Sequence, residues 1–271
     1  MTPTGAVARH MLYERVRSMT YWSIGTSLLM VLMVAFYPSV RDSSRAIDDY
    51  VKSLPKGLMQ AFGMTGESIA SPAGYLVSQL YSTVYPIVVM ILAFGLAAWS
   101  VAGSEADGTL ELVLANPVSR RRVALERALG IAALAAILVI VSTAVLDIAS
   151  RPVGLHDGLE WWALWSAALQ MLAFVMVSAT LVFAVGAATG SKGAAIAVGS
   201  AVAVLGFFVQ ALAPLSKATE GLRWGSPWYW LLRDNPVTTP PNWLNTLLPL
   251  GLAAAFVLIG VWAFDRRDLR F

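Results

Sequence analysis

The chain has 271 residues, of which 58% are hydrophobic and 13% are charged, and its mean hydropathy is +0.68. A soluble domain has roughly 45–50% apolar and about 25% charged residues, so this composition excludes an ordinary soluble fold and indicates a polytopic membrane protein. The net charge of +3 comes from scattered basic residues that suit a membrane surface and not a nucleic-acid site. Without cysteine, disulfides and thiolate metal sites are excluded, and His10 and His156 cannot build a metal site by themselves.

Six segments without Asp, Glu, Lys or Arg can each hold the roughly 20 residues that cross a ~30 Å hydrocarbon core. They predict an all-α fold with six membrane-spanning helices within residues 19–264. The predicted spans are Met19–Tyr37, Gly74–Ser100, Ala128–Leu146, Trp161–Ala187, Ala194–Ala213 and Trp243–Phe264. The apolar stretch that follows the first arginines is too long for a signal peptide and lacks a cleavage motif, so we expect an uncleaved helix.

Residues 1–18 are predicted to form an amphipathic helix along the membrane surface before the first span. Ala8, Met11, Leu12 and Val16 recur at helical spacing within residues 6–18, and the charged residues turn away from them. The aromatic run from Trp224 to Trp230 similarly predicts a short helix that either turns back into the membrane or lies on it.

An even number of spans places both termini on one side of the membrane. Eleven of the 19 Lys and Arg residues lie in the terminal segments and in the loops 101–127 and 188–193, mostly beside helix ends. The positive-inside rule then predicts that both termini, including the tail 265–271, are cytoplasmic. The loops 38–73 and 214–242 are predicted to lie outside, with a short helix around Lys56 to Phe62.

No ionisable residue lies within a predicted span, which argues against a transporter driven by protons or sodium. The neutral polar side chains Gln79, Gln170 and Gln210 are candidates for a substrate path, and the last two could equally join helices by hydrogen bonds. No Walker A motif occurs, and Gly190–Gly193 is better interpreted as a tight turn. Uphill transport would therefore need ATP and Mg²⁺ bound by a partner subunit, and we expect no cofactor in this chain.

Residues 103–122 form a charged insert between the second and third predicted spans. A short helix is predicted from Thr109 to Ala115, ended by Pro117, and Ser119 can cap the helix that follows. The pattern E-x-x-G-T-L-E-L-x-L-x-x-P-x-S-R resembles the cytoplasmic coupling segment of export-type permeases of ATP-binding-cassette transporters, the type-2 class. Weaker similarity to the same class of permeases covers most of the chain and includes Ser226-Pro227-Trp228-Tyr229.

This resemblance implies a transport subunit and not an enzyme, working with two ATP-binding subunits and a second permease that is identical or closely related. Glu105 and Glu111 are expected to pair with basic groups of the ATPase, while Leu110 and Leu112 pack into its groove. The residues expected at the coupling site are Glu105, Gly108, Thr109, Leu110, Glu111, Leu112, Pro117 and Arg120. The residues expected to bind lipid headgroups are Arg9, Arg17, Arg121, Arg122, Arg266 and Arg267. The run Asp265–Asp268 is either a simple stop signal or a support for the coupling region.

The uncharged spans favour a hydrophobic or amphiphilic cargo, such as a drug, an antibiotic or a lipid, exported through the cell membrane as in multidrug efflux. One alternative is an ATPase-linked membrane subunit that extracts lipid or signals. A second is an intramembrane enzyme, which is disfavoured because neither histidine lies in a predicted span.

Overall fold

The computed structural model describes residues 5–43, 54–55, 68, 70–213, 219–240 and 242–268. This part of the chain contains no strand, and six of its helices are long and apolar enough to span a membrane, which confirms the predicted fold class. The helices are α1 (Ala6–Asp42), α2 (Pro72–Ala106), α3 (Thr109–Leu114), α4 (Arg120–Ser150), α5 (Ala163–Thr189), α6 (Lys192–Leu212), α7 (Pro227–Leu232) and α8 (Trp243–Arg266).

Helix α1 is longer at both ends than the first predicted span. One continuous helix of 37 residues contains both the predicted surface segment and the span. At 1.5 Å per residue it is about 55 Å long, well beyond a ~30 Å hydrocarbon core. Pro38, which was expected to begin a loop, lies inside α1, where it removes a single hydrogen bond close to the helix end. The helix predicted around Lys56 to Phe62 falls outside the described residues.

Helix α2 changes its winding along its length. Leu76–Val84 and Trp99–Gly103 are π-helical, and the residues between them form a regular α-helix. In such π-turns the backbone carbonyls do not make the usual α-helical hydrogen bonds, and π-turns occur often at functional sites. The second π-turn directly precedes the predicted coupling segment.

Helix α5 lies at the centre of the bundle, with most of its residues buried. Small residues on its neighbours allow close packing: Gly260 of α8 lies against the ring of Phe183 and the Cα of Ala184, and Gly199 of α6 lies against Val182. Helices α1, α6 and α8 are peripheral and leave broad apolar faces exposed. These faces are suited to contact with lipid.

Helix α7 is wedged against α5 and α6. Trp228 donates through Nε1 to the Ala203 carbonyl at 3.0 Å, and its ring centroid lies 5.1 Å from that of Phe174. Just before α7, the Ser226 hydroxyl donates to the Gly206 carbonyl at 2.7 Å. The aromatic segment therefore packs against the spanning helices α5 and α6.

Contacts between distant residues show which segments share an end of the bundle. Glu126 contacts the backbone of Gly5, while Arg267 contacts both Arg120 and Gly190. The first described residues, the segment between α2 and α4, the α5–α6 turn and the end of α8 thus lie together. We call this the termini end, and the other the opposite end.

Candidate coupling site

Helix α3 is a short helix held between two long ones at the termini end. It follows Gly108, whose φ of +71° is readily adopted by glycine and strained for other residues. The hydroxyl of Thr109 donates to the Ser104 carbonyl at 3.2 Å, tying the start of α3 back to α2. After α3, the Ser119 hydroxyl accepts from the backbone N–H of Arg122 at 3.3 Å and begins α4, as predicted for this cap.

The two leucines of α3 face in different directions. Leu110 is completely buried, whereas Leu112 is 72% exposed. The expectation that Leu110 packs into a partner has to be corrected, because this side chain anchors α3 to its own bundle. The predicted coupling residues that remain at the surface are Gly108, Thr109, Glu111, Leu112 and Pro117.

Glu105 is paired within the chain and not free for a partner. Its carboxylate contacts the guanidinium of Arg267, and the two side chains are only 5% and 15% exposed. The expectations that Glu105 contacts an ATPase and that Arg267 contacts lipid are therefore both wrong. Because both side chains are buried, each charge depends on the other. Removal of either partner would leave an uncompensated charge inside the protein and destabilise it.

The end of α8 makes further contacts with the start of α4. Arg120 donates through Nη1 to the Arg267 carbonyl at 2.9 Å, and Arg121 donates through Nε to Asp265 Oδ2 at 2.8 Å. Arg120 therefore has an internal role that the sequence did not indicate. The run Asp265–Asp268 thus contacts the predicted coupling segment 103–122 through Asp265 and Arg267.

A carboxylate of α4 caps the N-terminus of α1. Glu126 accepts from the backbone N–H of Val7 at 2.7 Å, of Gly5 at 3.1 Å and of Ala8 at 3.3 Å. It also accepts from Nε of Arg122 at 2.8 Å, so the expected lipid contact of Arg122 is replaced by an internal ion pair. The first turn of a helix has free N–H groups and a partial positive charge, and a carboxylate satisfies both.

A second buried charge holds the π-turn of α2. Arg127, 5% exposed, donates to the Ser100 carbonyl and to the Ser104 hydroxyl. Nearby, the guanidinium carbon of Arg15 lies 3.7 Å from the centroid of the Trp99 ring, a cation–π contact. Sequence reasoning missed both Glu126 and Arg127. The sequence feature that could have identified them is their position in the second turn of α4, at the edge of an apolar run.

The remaining predicted residues are dispersed. Exposed side chains include Arg9, Arg17, Arg121 and Arg266, and the last stacks 4.6 Å above the Trp262 ring centroid. Gln79 is exposed on α2, whereas Gln170 and Gln210 are buried, and their Oε1 atoms lack a hydrogen-bond partner among the described residues.

Two cavities flank these elements. One of about 370 Å³ lies at the termini end between α1 and α3, with His10, Glu14 and Leu112 in its lining. The other, of about 350 Å³, is an apolar groove between α2 and α6 beside Trp228. Within the described ranges, no three His, Asp or Glu side chains cluster in a way that could hold a metal ion.

Comparison with known families agrees with this architecture. A family model described as ABC-2 family transporter protein matches residues 5–269, which include all six candidate spans and the α3 segment. Comparison with curated proteins gives no match. Members of this family are transport subunits that pair with a separate ATP-binding subunit. The chain therefore belongs to the ABC-2 family of transporter proteins and is a multi-pass membrane permease subunit of an ATP-binding-cassette transporter.

Proposed function

We propose that this permease exports a hydrophobic or amphiphilic molecule outward across the cell membrane, driven by ATP hydrolysis on partner subunits. The observation that carries the proposal is the form of α3, a short helix exposed on one face and anchored on the other. Leu112 and Glu111 project from the exposed face, while Leu110 is buried beneath them. A helix fixed in this way can pass a rigid-body displacement to the spans on either side.

In this mechanism an ATP-binding subunit seats α3 in a groove on its surface. Leu112 supplies the apolar contact and Glu111 pairs with a basic group of the ATPase. ATP and Mg²⁺ are bound by that subunit. Two permeases and two ATPase subunits form the complete transporter, because six spans rarely enclose a full export path, and the substrate path lies where the permeases meet.

The termini end faces the cytoplasm in this proposal, since ATP is available there. Arg9 and Arg17 are exposed at that end and would lie at the level of the lipid headgroups. A basic residue near an anionic membrane surface contributes about 1 kcal/mol of attraction. These two arginines would hold the first turns of α1 at the interface.

The nature of the cargo is inferred from the groove between α2 and α6. Phe94, Phe207 and Trp228 contribute aromatic surface to it, and none of the described residues that line it carries a charge. Thr83 and Ser200 contribute the hydroxyl groups among its lining residues. An apolar surface with few polar groups is typical of sites for hydrophobic or amphiphilic ligands.

The docking of the ATPase is tested by purifying tagged permease from its native membrane and identifying the captured proteins by mass spectrometry. We expect a stoichiometric ATP-binding subunit and ATPase activity in the eluate. Glu111→Lys should reduce capture at least tenfold, whereas Glu160→Lys, an exposed residue at the opposite end, should leave it unchanged. Equal capture by both variants would contradict docking through α3.

The direction and class of cargo are tested in inside-out vesicles with rhodamine 6G as an amphiphilic probe. Outward export predicts that the dye accumulates in these vesicles when ATP is added. The matched control is a vesicle that carries Glu111→Lys permease at equal abundance. ATPase capture without ATP-dependent movement of this dye or of a labelled phospholipid would favour a signalling role instead.

A further inference from the structure

Arg267 joins three separate elements at the termini end. Its guanidinium contacts Glu105 in the last turn of α2, shortly before α3, and its carbonyl accepts from Arg120 at the start of α4. The same guanidinium lies against Gly190 in the turn between α5 and α6, so closely that a side chain at position 190 would occupy its place. Arg267 itself directly follows the end of α8.

Helix α8 is in turn closely packed on α5. Gly260 approaches the Phe183 ring and the Ala184 backbone so tightly that a Cβ at position 260 would overlap the ring. Tight contact of this kind makes two helices move together, because packed interiors resist small continuous deformation. A displacement that reaches the end of α8 would therefore reach the central helix of the bundle.

We propose that Arg267 is a positioning residue that locks the end of α2, at Glu105 just before α3, to α8 and to the α5–α6 turn. The ATP-driven displacement of α3 then moves α8 and α5 together with α2 and α4. This inference rests on the proposed function, since it assumes that an ATPase displaces α3. Without this lock, the displacement of α3 would pass only to α2 and α4, its direct neighbours in the chain. With it, the end of α8 also takes part in transferring the displacement.

The neighbouring arginine provides a matched control. Arg266 has the same charge and lies one residue away, but its side chain is exposed and stacks on Trp262 of its own helix. If a positive charge at the end of α8 served only to stop the helix at the membrane surface, the two arginines would be equivalent. Only Arg267 reaches the segment before α3.

The test measures the distance between the last turn of α2, next to Glu105, and α8 directly. The chain has no cysteine, so spin labels can be placed at Ala106→Cys and Leu258→Cys, both exposed, without removing native thiols. Double electron–electron resonance is recorded on the permease–ATPase complex in nanodiscs, without nucleotide and after trapping with ATP and vanadate. The parent, Arg267→Ala and Arg266→Ala are compared.

In the parent protein we expect one narrow distance distribution that is the same before and after trapping. In Arg267→Ala we expect unchanged capture of the ATPase but a distance distribution that broadens or shifts after trapping. Arg266→Ala should behave as the parent does. A parent distance that itself shifts on trapping would overturn the proposal, and so would an Arg267→Ala distribution that matches the parent. If Arg267→Ala does not fold, Glu105→Gln removes the same ion pair with less loss of volume and is judged by the same criteria.

Charge reversal separates positioning from simple structural support. We expect Arg267→Glu to lower the amount of rhodamine 6G moved per ATP hydrolysed by at least tenfold, and Glu105→Arg combined with Arg267→Glu to regain much of that loss. An unchanged transport-to-ATP ratio in Arg267→Glu would contradict the role in energy transfer. If the parent captures no ATP-binding subunit at all, the proposed function fails instead, an outcome visible before any substitution is made.

Discussion

The carboxylate of Glu126 accepts a hydrogen bond from the backbone N–H of Val7 at 2.7 Å, joining residues 119 positions apart. Its remaining acceptor positions are occupied by Gly5, Ala8 and Arg122. A helix usually takes its N-terminal cap from an adjacent residue, whereas α1 takes its cap from α4. This contact places the first turn of α1 against the base of α4, beside the α3 segment.

Replacing Glu126 should therefore loosen the start of α1. Glu126→Ala removes the acceptor for the N–H groups of Gly5, Val7 and Ala8 at the start of α1 and should destabilise the protein by about 0.5–2 kcal/mol, the usual cost of a lost helix cap. Hydrogen exchange should show faster exchange of the amides of residues 5–8, together with a lower thermal unfolding midpoint in detergent. Glu160→Ala, an exposed carboxylate at the opposite end, should change neither. An unaltered exchange rate at residues 5–8 would show that the cap contributes nothing.

The number and approximate position of the spans could be predicted because membrane thickness imposes a minimum length on charge-free segments. Trp243, for example, begins both the predicted sixth span and α8. The length of α1 could not be predicted in this way. Hydropathy does not distinguish a surface helix that bends into a span from one continuous helix, and the cap from Glu126 depends on tertiary packing.

The site was predicted less completely than the fold. The position of α3 followed from Gly108 and Pro117, but which of its faces is buried did not. Leu110 and Leu112 are both apolar, and two residues along a helix correspond to about 200° of rotation, so they point apart. Similarly, a sequence shows that Glu105 and Arg267 carry opposite charges but not that they meet across 162 positions.

The α5–α6 turn provides a prediction about Gly190. Its φ of +67° is strained for other residues, and a Cβ there would collide with the Arg267 guanidinium. Gly190→Ala should destabilise the protein by about 1–2 kcal/mol. Gly193→Ala should be neutral or stabilising, since Gly193 has open space in the first turn of α6 and alanine favours a helix. Thermal unfolding of the two variants in the same detergent tests this, and equal midpoints would contradict it.

The contact between α5 and α8 gives a prediction about Gly260. Gly260→Val places a branched side chain against Phe183 and Ala184, and overpacking of this kind costs typically about 1–3 kcal/mol. The same change at Gly251, which has open space on the exposed face of α8, serves as the control. We expect only Gly260→Val to lower the unfolding midpoint. Tolerance of both substitutions would mean that α8 is less closely held by α5 than the structure indicates.

Substitutions of the two leucines of α3 should affect different properties, one the stability of the permease and the other its docking to the ATPase. Leu110→Ala empties a completely buried site and should cost about 2–5 kcal/mol, so its unfolding midpoint should fall. Leu112→Ala removes a side chain that is 72% exposed and should leave that midpoint unchanged while reducing capture of the ATP-binding subunit several-fold. Thermal unfolding of purified permease and capture at equal permease concentration measure the two effects independently. If Leu112→Ala left capture intact, the exposed face of α3 would not be the docking surface, even if Leu110→Ala behaved as expected.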